Sequence, residues 1–268
     1  MSDVVGQLVV PFTKVAANAL GSDAGASYGL KEDLVSYWSF DEADSKTSST
    51  RIDLHGSTDL SDLGNYNAVS GVAGEYPGAV SLQGINQGSD SLGDTATANA
   101  GTGASQAFTI SHWSIKTVSD WSTTDSGVLL YRVGNFGYSG SPVDYVLYYN
   151  HVTQEVEWTV YDTAGTPFTV SVAAPPKTQW THYIVGYDGT TKKAFMRVNG
   201  GTLLESAALT LDARNEGTRF ACNTISGQAD GISYINVDKS GFWSAVLSEE
   251  QQIRMYNSGV GLYYSQLT

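Results

Sequence analysis

From residue 34 onward, short stretches in which apolar and polar residues alternate recur along most of the chain. In the stretch 35–40 successive side chains would point to opposite faces of a strand, and both faces carry large apolar residues. The same signal returns at 79–82, 108–116, 128–133, 143–149, 156–161, 168–172, 180–187, 193–198, 219–223 and 232–243. About a dozen strands at this spacing predict an all-β fold of two packed antiparallel sheets, a β-sandwich.

One short helix is predicted after the last strand. Ser248 is a good N-cap, Gln251 completes a capping box, and the acidic pair at 249–250 lies where the helix dipole favours anions. Asn257 and Gly259 supply the stop signal.

Turn-forming residues mark the connections between several predicted strands. Asp188-Gly189 and Asn199-Gly200 are pairs that tolerate positive φ in tight hairpins, so a three-strand meander is expected over 180–204. The stretch 84–106 is rich in Gly, Ser, Thr, Asn and Asp and is expected to be an exposed loop or flap.

Two regions are expected in the 268-residue chain. Residues 1–30 combine a short apolar run at 4–12 with small and turn-forming residues, which predicts an N-terminal arm and not a domain. Residues 31–268 are long enough for one large β-sandwich domain.

Charge and cysteine content exclude several classes of protein. The formal net charge of −13 would repel nucleic acid and anionic lipid surfaces, so neither is an expected partner. Cys222 is the one cysteine, so no intrachain disulfide can form. A lone cysteine in such a strand pattern is usually a small buried apolar residue. The chain has no apolar run of transmembrane length, and its first residues lack the cationic region of a signal peptide, so neither membrane insertion nor the usual export route is expected.

Several blocks together carry a family resemblance, at 34–42, 53–57, 77–82, 108–113, 180–189, 198–200 and 237–259. In order and spacing they resemble the laminin G-like, concanavalin A-like superfamily of lectin and glucanase domains. The resemblance covers about residues 34–260 and implies a two-sheet antiparallel jelly roll with one short C-terminal helix, to which the chain adds an extended N-terminal arm.

Enzymatic activity is not expected. The glucanases of this superfamily carry a Glu-x-Asp-x-x-Glu motif on one strand, and this sequence lacks it. Glu155 and Glu157 share one strand face but are interpreted as a solvated pair. The four histidines have neither a nucleophile elbow nor metal-ligand spacing and are interpreted as hydrogen-bonded sheet residues.

A structural Ca²⁺ site is a second implication of the resemblance, because laminin G-like domains often bind Ca²⁺ through carboxylates at a sheet edge. Asp41, Asp53 and Asp238 are the candidate ligands. An equally good interpretation is that Asp41 and Asp53 form Asx-turns and that Asp238 caps a bend.

Carbohydrate contact in this superfamily comes from aromatic residues on loops and sheet faces. Trp121, Asn135 and Tyr138 lie in two loops with aromatic and polar residues and are the glycan-binding candidates. Alternatively, Trp121 closes one end of the core. The other tryptophans lie on strands and are interpreted as core or sheet-face residues.

The leading functional hypothesis is a non-enzymatic structural protein of a bacteriophage virion, such as a capsid decoration, head-fibre or tail-appendage subunit. The arm would contact other virion proteins, the laminin G-like domain would face outward and adhere to host or surface glycans, and a homo-oligomer is compatible with this role. The alternative is a free, extracellular Ca²⁺-dependent carbohydrate-binding module or adhesin domain.

Overall fold

The computed structural model of the chain describes residues 28–41, 50–62, 69–70, 80–82, 91–93, 107–116, 127–132, 145–161, 166–176, 179–208, 218–221 and 235–268. Among these, fifteen strands precede one α-helix. The strands are β1 (Leu34–Trp38), β2 (Ser61–Asp62), β3 (Val69–Ser70), β4 (Val80–Leu82), β5 (Ser91–Gly93), β6 (Phe108–Lys116), β7 (Gly127–Arg132), β8 (Tyr145–Asn150), β9 (Glu155–Tyr161), β10 (Pro167–Ala173), β11 (Thr181–Asp188), β12 (Lys193–Val198), β13 (Leu204–Ala208), β14 (Thr218–Ala221) and β15 (Ile235–Trp243). The helix is α1 (Glu249–Tyr256), and 3-10 turns follow at Asn257–Gly259 and Tyr264–Gln266.

The strands form two antiparallel sheets. The eight-stranded sheet has the order β13-β12-β11-β6-β15-β4-β3, with β1 also paired to β15, and the seven-stranded sheet has the order β10-β9-β8-β7-β14-β5-β2. This arrangement confirms the predicted all-β sandwich with one short C-terminal helix. The last strand, β15, lies at the centre of the eight-stranded sheet, although it comes from the end of the chain.

The strand β15 changes neighbours halfway along its length. Its first residues pair with β4 and its last residues pair with β1, while β6 runs along its other side. The pairing with β6 shifts between Asp238 and Gly241, and Lys239 within this bulge has a positive φ of 42°. The bulge therefore lies where the neighbour on one side of β15 changes from β4 to β1. It carries the charged side chains of Asp238 and Lys239.

The inner faces of the two sheets enclose the main hydrophobic core. Alternate residues of the central strands supply it, including Ile110, Val185 and Phe242 from one sheet and Leu147 and Trp158 from the other. The Trp158 indole nitrogen donates a hydrogen bond of 3.0 Å to the Gly186 carbonyl oxygen across the core. Burial of these large side chains is the main source of stability.

A third layer covers the outer face of the eight-stranded sheet. Leu247, Met255, Leu262 and Leu267, from α1 and the segments beside it, form a second hydrophobic cluster with sheet residues such as Ile184. The central strands β6, β11, β12 and β15 of this sheet therefore have both faces buried.

Arg197 anchors α1 to the sheet. The side chain is 3% exposed. Its guanidinium donates to the Gln252 amide oxygen at 3.0 Å, the Gly201 carbonyl oxygen at 2.6 Å and the Glu249 carboxylate at 2.9 Å.

Residues 28–30 belong to this layer too. The Leu30 amide donates to the Thr268 carbonyl oxygen at 3.0 Å, and the Trp243 indole nitrogen donates to the Leu30 carbonyl oxygen at 2.6 Å. The Arg254 guanidinium lies 3.8 Å from the centre of the Tyr28 ring. The N-terminal segment thus joins the described domain beside α1.

Most of the locally encoded elements agree with the predictions. The capping box of α1 is present, because the Gln251 amide donates to Ser248 Oγ at 3.3 Å and the Ser248 amide donates to Gln251 Oε1 at 2.8 Å. Asn257 ends the helix in the left-handed conformation. The Asn199-Gly200 turn has positive φ at both residues, and β11, β12 and β13 form the expected meander.

Two details differ from the predictions. The strand β1 ends at Trp38, and Phe40, expected to continue it, has a φ of 58° and is fully buried. The stretch expected to be a loop at 84–106 contains β5, which pairs with β14 and β2. No helix in the described ranges is long and apolar enough to cross a membrane.

Candidate functional site

The outer face of the seven-stranded sheet is built from the residues that alternate with the core positions of three neighbouring strands. On β8 the inner residues Tyr145, Leu147 and Tyr149 are fully buried, and on β9 the inner residues are Val156, Trp158 and Val160. The residues between them point outward: the apolar Val146, which is 1% exposed, and a polar set that we call the outer polar face, Tyr148, Asn150, Glu155, Glu157, Thr159, Tyr161 and Thr169. Cross-strand pairing sets Tyr148 directly opposite Glu157 and Thr159 opposite Thr169.

Glu157 is the centre of this face. Its side chain is 7% exposed. Its carboxylate accepts hydrogen bonds from the Tyr148 hydroxyl at 2.5 Å, the Asn150 amide nitrogen at 2.7 Å and the Thr153 hydroxyl at 3.0 Å. Tyr148 and Asn150 are brought to it by strand pairing, whereas Thr153 lies in the turn between β8 and β9. The carboxylate is therefore held in one position by three donors, all uncharged.

Two tyrosines flank the carboxylate, and both remain protonated donors. Burial raises the pKa of Tyr148, and the hydrogen bond to Glu157 raises it further. Burial followed by the charge of Glu157 raises the pKa of Tyr161. Both rings are partly exposed. The face therefore offers aromatic surface beside fixed hydrogen-bonding groups.

This combination suits a ligand with apolar faces and hydroxyl edges. Aromatic rings supply rigid apolar contact, while carboxylate, amide and hydroxyl groups can accept or donate hydrogen bonds to a polyol. Among the described elements, α1 and the C-terminal segment pack on the eight-stranded sheet and not on the outer polar face. Tyr148, Asn150 and Tyr161 keep part of their surface exposed there, while Glu157 and Thr159 are buried between them.

The buried histidines lie away from this face and have structural roles. His182 Nε2 and Ser111 Oγ share a hydrogen bond of 2.7 Å, and His112 Nδ1 and Ser240 Oγ share one of 2.9 Å. Burial lowers the pKa of both imidazoles to about 3. The prediction that these histidines are hydrogen-bonded sheet residues is confirmed.

An aromatic stack lies beside His182, beneath the C-terminal layer. The His182 ring stacks on Trp113 with 4.8 Å between ring centres, and Trp113 stacks on Tyr256 of α1 at 5.9 Å. This stack joins the sheet to the helix. Trp38, Trp113, Trp158 and Trp243 are all buried, as the sequence predicted, whereas Trp180, also expected on a strand, lies directly before β11 and is half-buried.

Asp53, one of the three predicted metal ligands, organises a loop. Its Oδ1 accepts from the backbone amides of Tyr37 at 3.0 Å, His55 at 3.0 Å and Gly56 at 2.9 Å, and its Oδ2 accepts from the Thr58 amide at 3.0 Å. The bond to the amide two residues on is an Asx-turn, the alternative to a metal site that the sequence left open. These hydrogen bonds lower the pKa of Asp53, although burial acts in the opposite direction.

Asp41, another predicted ligand, lies close enough to the third, Asp238 at the β15 bulge, for its charge to act on Asp238. Asp238 is 1% exposed, and its Oδ2 lies 3.9 Å from the Lys239 ammonium. Burial raises the pKa of Asp238 to about 7, and the charge of Asp41 adds to the effect, while Lys239 opposes it. The Lys239 ammonium also donates to the Val260 carbonyl oxygen at 3.0 Å.

The structure therefore associates two of the three aspartates with a lysine. Within the described ranges, no group of three or more His, Cys, Asp or Glu side chains is placed to hold a metal ion. The Ca²⁺ site stays a prediction.

The predicted glycan-binding residues Trp121, Asn135 and Tyr138 lie outside the described residues, as do Cys222 and residues 1–27 of the predicted arm. Sequence reasoning missed the outer polar face. The interpretation of Glu155 and Glu157 as a solvated pair is wrong for Glu157, which is buried. Strand alternation could have placed Tyr148, Glu157 and Tyr161 outward, but not their pairing across strands.

Neither a protein-family model nor a curated protein sequence matches the chain. Solved structures do share its fold. A sialidase from Trypanosoma rangeli in complex with 2,3-difluorosialic acid has a TM-score of 0.58 and 13% identity, over 85% of this chain and 33% of that chain. The binding domain of botulinum neurotoxin DC in complex with SialylT has a TM-score of 0.61 and 13% identity, over 85% of this chain and 52% of that chain. The binding domain of botulinum neurotoxin serotype D has a TM-score of 0.62 and 11% identity, again over 85% of this chain and 52% of that chain.

The chain thus spans about a third of the sialidase and about half of the toxin binding domains. At these identities the similarity establishes a shared fold, and it agrees with the predicted β-sandwich. The laminin G-like family stays an expectation. The chain has the β-sandwich fold that also occurs in the sialidase and the toxin binding domains.

Proposed function

We propose that this protein is a non-enzymatic carbohydrate-binding β-sandwich domain and that the outer polar face is its binding surface. The observation that carries the proposal is the Glu157 carboxylate, held by three neutral donors beside the partly exposed rings of Tyr148 and Tyr161. A pyranose ring can lie against a tyrosine face while its hydroxyls hydrogen-bond to the fixed polar groups.

Binding without catalysis is the better match to the chemistry of this face. Most retaining or inverting glycosidases use one carboxyl as acid and a second as nucleophile or base, whereas sialidases use a tyrosine as nucleophile. The Glu157 carboxylate already accepts three hydrogen bonds, which hold it in place. His112 and His182 are fully buried, so a substrate on the outer polar face could not reach them as proton donors.

The reported structures agree with this proposal at the level of the fold. One is a sialidase bound to a sialic acid derivative and one is a toxin binding domain in complex with SialylT, so this sandwich occurs in proteins of both kinds. A fold hosts many functions, and the proposal rests on the site.

A glycan array followed by calorimetry on the best oligosaccharide tests the proposal. We expect micromolar to millimolar binding that Tyr161→Ala weakens at least about tenfold, because ring contact is lost. Tyr263→Ala is the matched control, since this exposed tyrosine lies on the C-terminal segment. Absence of binding to every glycan, or equal effects of the two variants, would contradict the proposal.

The predicted loop residues can be tested in the same assay. Trp121→Ala and Tyr138→Ala should weaken binding if the loops extend the binding surface, as the sequence predicted. If these variants abolish binding and Tyr161→Ala leaves it unchanged, the glycan binds at the loops and the outer polar face is the wrong site.

A display role is the second candidate. The N-terminal segment joins the domain at Tyr28, beside α1, and α1 covers the eight-stranded sheet. The outer polar face belongs to the opposite side of the sandwich. A domain attached through its N-terminal residues would therefore present the outer polar face away from the point of attachment.

Attachment to a bacteriophage virion stays a prediction of the sequence, and the structures reported above give it no support. The truncation that tests it should delete residues 1–27, because Tyr28 and Leu30 pack inside the domain. We expect a folded domain that no longer joins its particle. Continued incorporation of the truncated protein would contradict the role of the arm.

Ca²⁺-dependent binding is the remaining alternative. The proximity of Asp41 and Asp238 favours it, whereas the Lys239 ammonium beside them already supplies a positive charge. Calorimetric titration with CaCl₂ alone decides between these interpretations. Binding that Asp41→Asn abolishes would support the Ca²⁺ site, and no heat of binding at millimolar Ca²⁺ would contradict it.

A further inference from the structure

We infer that the outer polar face selects uncharged glycans and discriminates against sialylated or sulfated ones. This inference rests on the proposed function and names the ligand class of the same site.

The charge of the face is the first argument. Glu157 is 7% exposed, and its three donors, the Tyr148 and Thr153 hydroxyls and the Asn150 amide, are all neutral. They fix the carboxylate without neutralising it. Glu155 lies on the same strand face, opposite Asn150. A ligand on this face therefore meets negative potential, and the net charge of −13 adds to it.

Hydrogen-bond polarity is the second argument. The Glu157 carboxylate can only accept, and the Tyr148 hydroxyl proton is already directed to it. Sugar hydroxyls can donate to the remaining lone pairs of this carboxylate. A ligand carboxylate or sulfate presents only acceptors, so it would place acceptor against acceptor.

The size of the discrimination follows from Coulomb's law. Two negative charges about 7 Å apart, at an effective dielectric constant of about 20 to 40, repel each other enough to weaken binding about tenfold or more. Because Glu157 is largely buried, salt screens this repulsion less than it would screen a surface pair.

The experiment compares matched pairs of immobilised oligosaccharides that differ only in a terminal sialic acid or sulfate group. We expect the neutral member of each pair to bind at least about tenfold more tightly. Glu157→Gln removes the charge and keeps an acceptor oxygen, so it should reduce the discrimination at least threefold. Glu205→Gln is the control, since this exposed residue pairs with Lys193 on the other sheet.

The outcomes separate this inference from the proposed function. If the sialylated member of a pair binds more tightly and Tyr161→Ala abolishes this binding, the proposed function stands and the selection of uncharged glycans is overturned. Equal discrimination by wild type and Glu157→Gln would also overturn it. Absence of binding to any glycan would overturn both. If Glu157→Gln does not fold, Glu155→Gln in the same assay is expected to reduce the discrimination, and an unchanged ratio would contradict the inference.

Discussion

The buried histidines and Asp238 predict how stability depends on pH, with opposite signs. Burial lowers the pKa of His112 and His182 to about 3, from an ordinary value of about 6.5. Below pH 6.5 the unfolded chain binds two protons that the folded protein does not, so the histidines destabilise the fold as the pH falls toward 3. Asp238 has its pKa raised to about 7. The folded protein holds that proton while the unfolded chain releases it, so Asp238 stabilises the fold as the pH falls from 7 to about 4.

The magnitudes can be worked out for a change from pH 7 to pH 5. Each histidine costs about 2 kcal/mol over this range, because one pKa unit corresponds to about 1.4 kcal/mol. Protonation of Asp238 in the folded state offsets about 2 kcal/mol of this cost. The three groups together should lower the free energy of unfolding by about 2 kcal/mol. In Asp238→Asn the stabilising contribution of Asp238 is absent, so the free energy of unfolding should fall by about 4 kcal/mol between pH 7 and pH 5.

Urea unfolding followed by tryptophan fluorescence at pH 7, 6 and 5 measures this difference. Carboxylates distant from Asp238 contribute equally in both proteins, so the comparison of wild type with Asp238→Asn isolates Asp238 and the groups coupled to it, Asp41 and Lys239. A third protein, His112→Gln, removes one of the two histidines. Its free energy of unfolding should fall by about 2 kcal/mol less than that of wild type between pH 7 and 5. The reasoning fails if Asp238→Asn and wild type show the same pH dependence, or if His112→Gln does not reduce it.

Three further substitutions test the packing of the fold by thermal or urea unfolding. Asp53→Ala should destabilise by about 2 to 4 kcal/mol, since four backbone amides lose their acceptor, and a change below about 0.5 kcal/mol would show that water replaces it. Arg197→Met should cost about 2 to 3 kcal/mol by releasing α1, and an unchanged stability would refute this anchoring role. Gly241→Ala should cost about 2 kcal/mol or more, because the new Cβ would lie 2.5 Å from the Trp243 ring; a neutral result would mean that the ring moves aside.

The sequence predicted those elements whose signals are local. The strand β6 alternates apolar and polar residues from Phe108 to Ser111, and the Ser248 and Gln251 capping box needs only four residues, so both appear where they were expected. The strand β5 has no comparable pattern. It forms because β14 and β2 supply its hydrogen-bonding partners, which are distant in sequence.

The candidate site escaped prediction for the same physical reason. Whether Glu157 is solvated depends on Tyr148 and Asn150, which reach it through the pairing of β8 and β9. Similarly, the sequence alone could not show that Asp53 forms an Asx-turn, because that depends on four backbone amides that the fold brings to its carboxylate. The β15 bulge, which contains Lys239 directly after Asp238, depends on the strands that pair with β15.

Hydrogen–deuterium exchange with and without a saturating oligosaccharide tests the central claim most directly. Peptides covering β8 and β9, residues 145–161, should exchange more slowly when the glycan is bound. Peptides covering α1 and the C-terminal segment, residues 249–268, should be unchanged. Protection confined to 249–268, or to the segments 119–125 and 134–141 that the sequence predicts to be loops, with no change in 145–161, would contradict the assignment of the outer polar face as the glycan-binding surface.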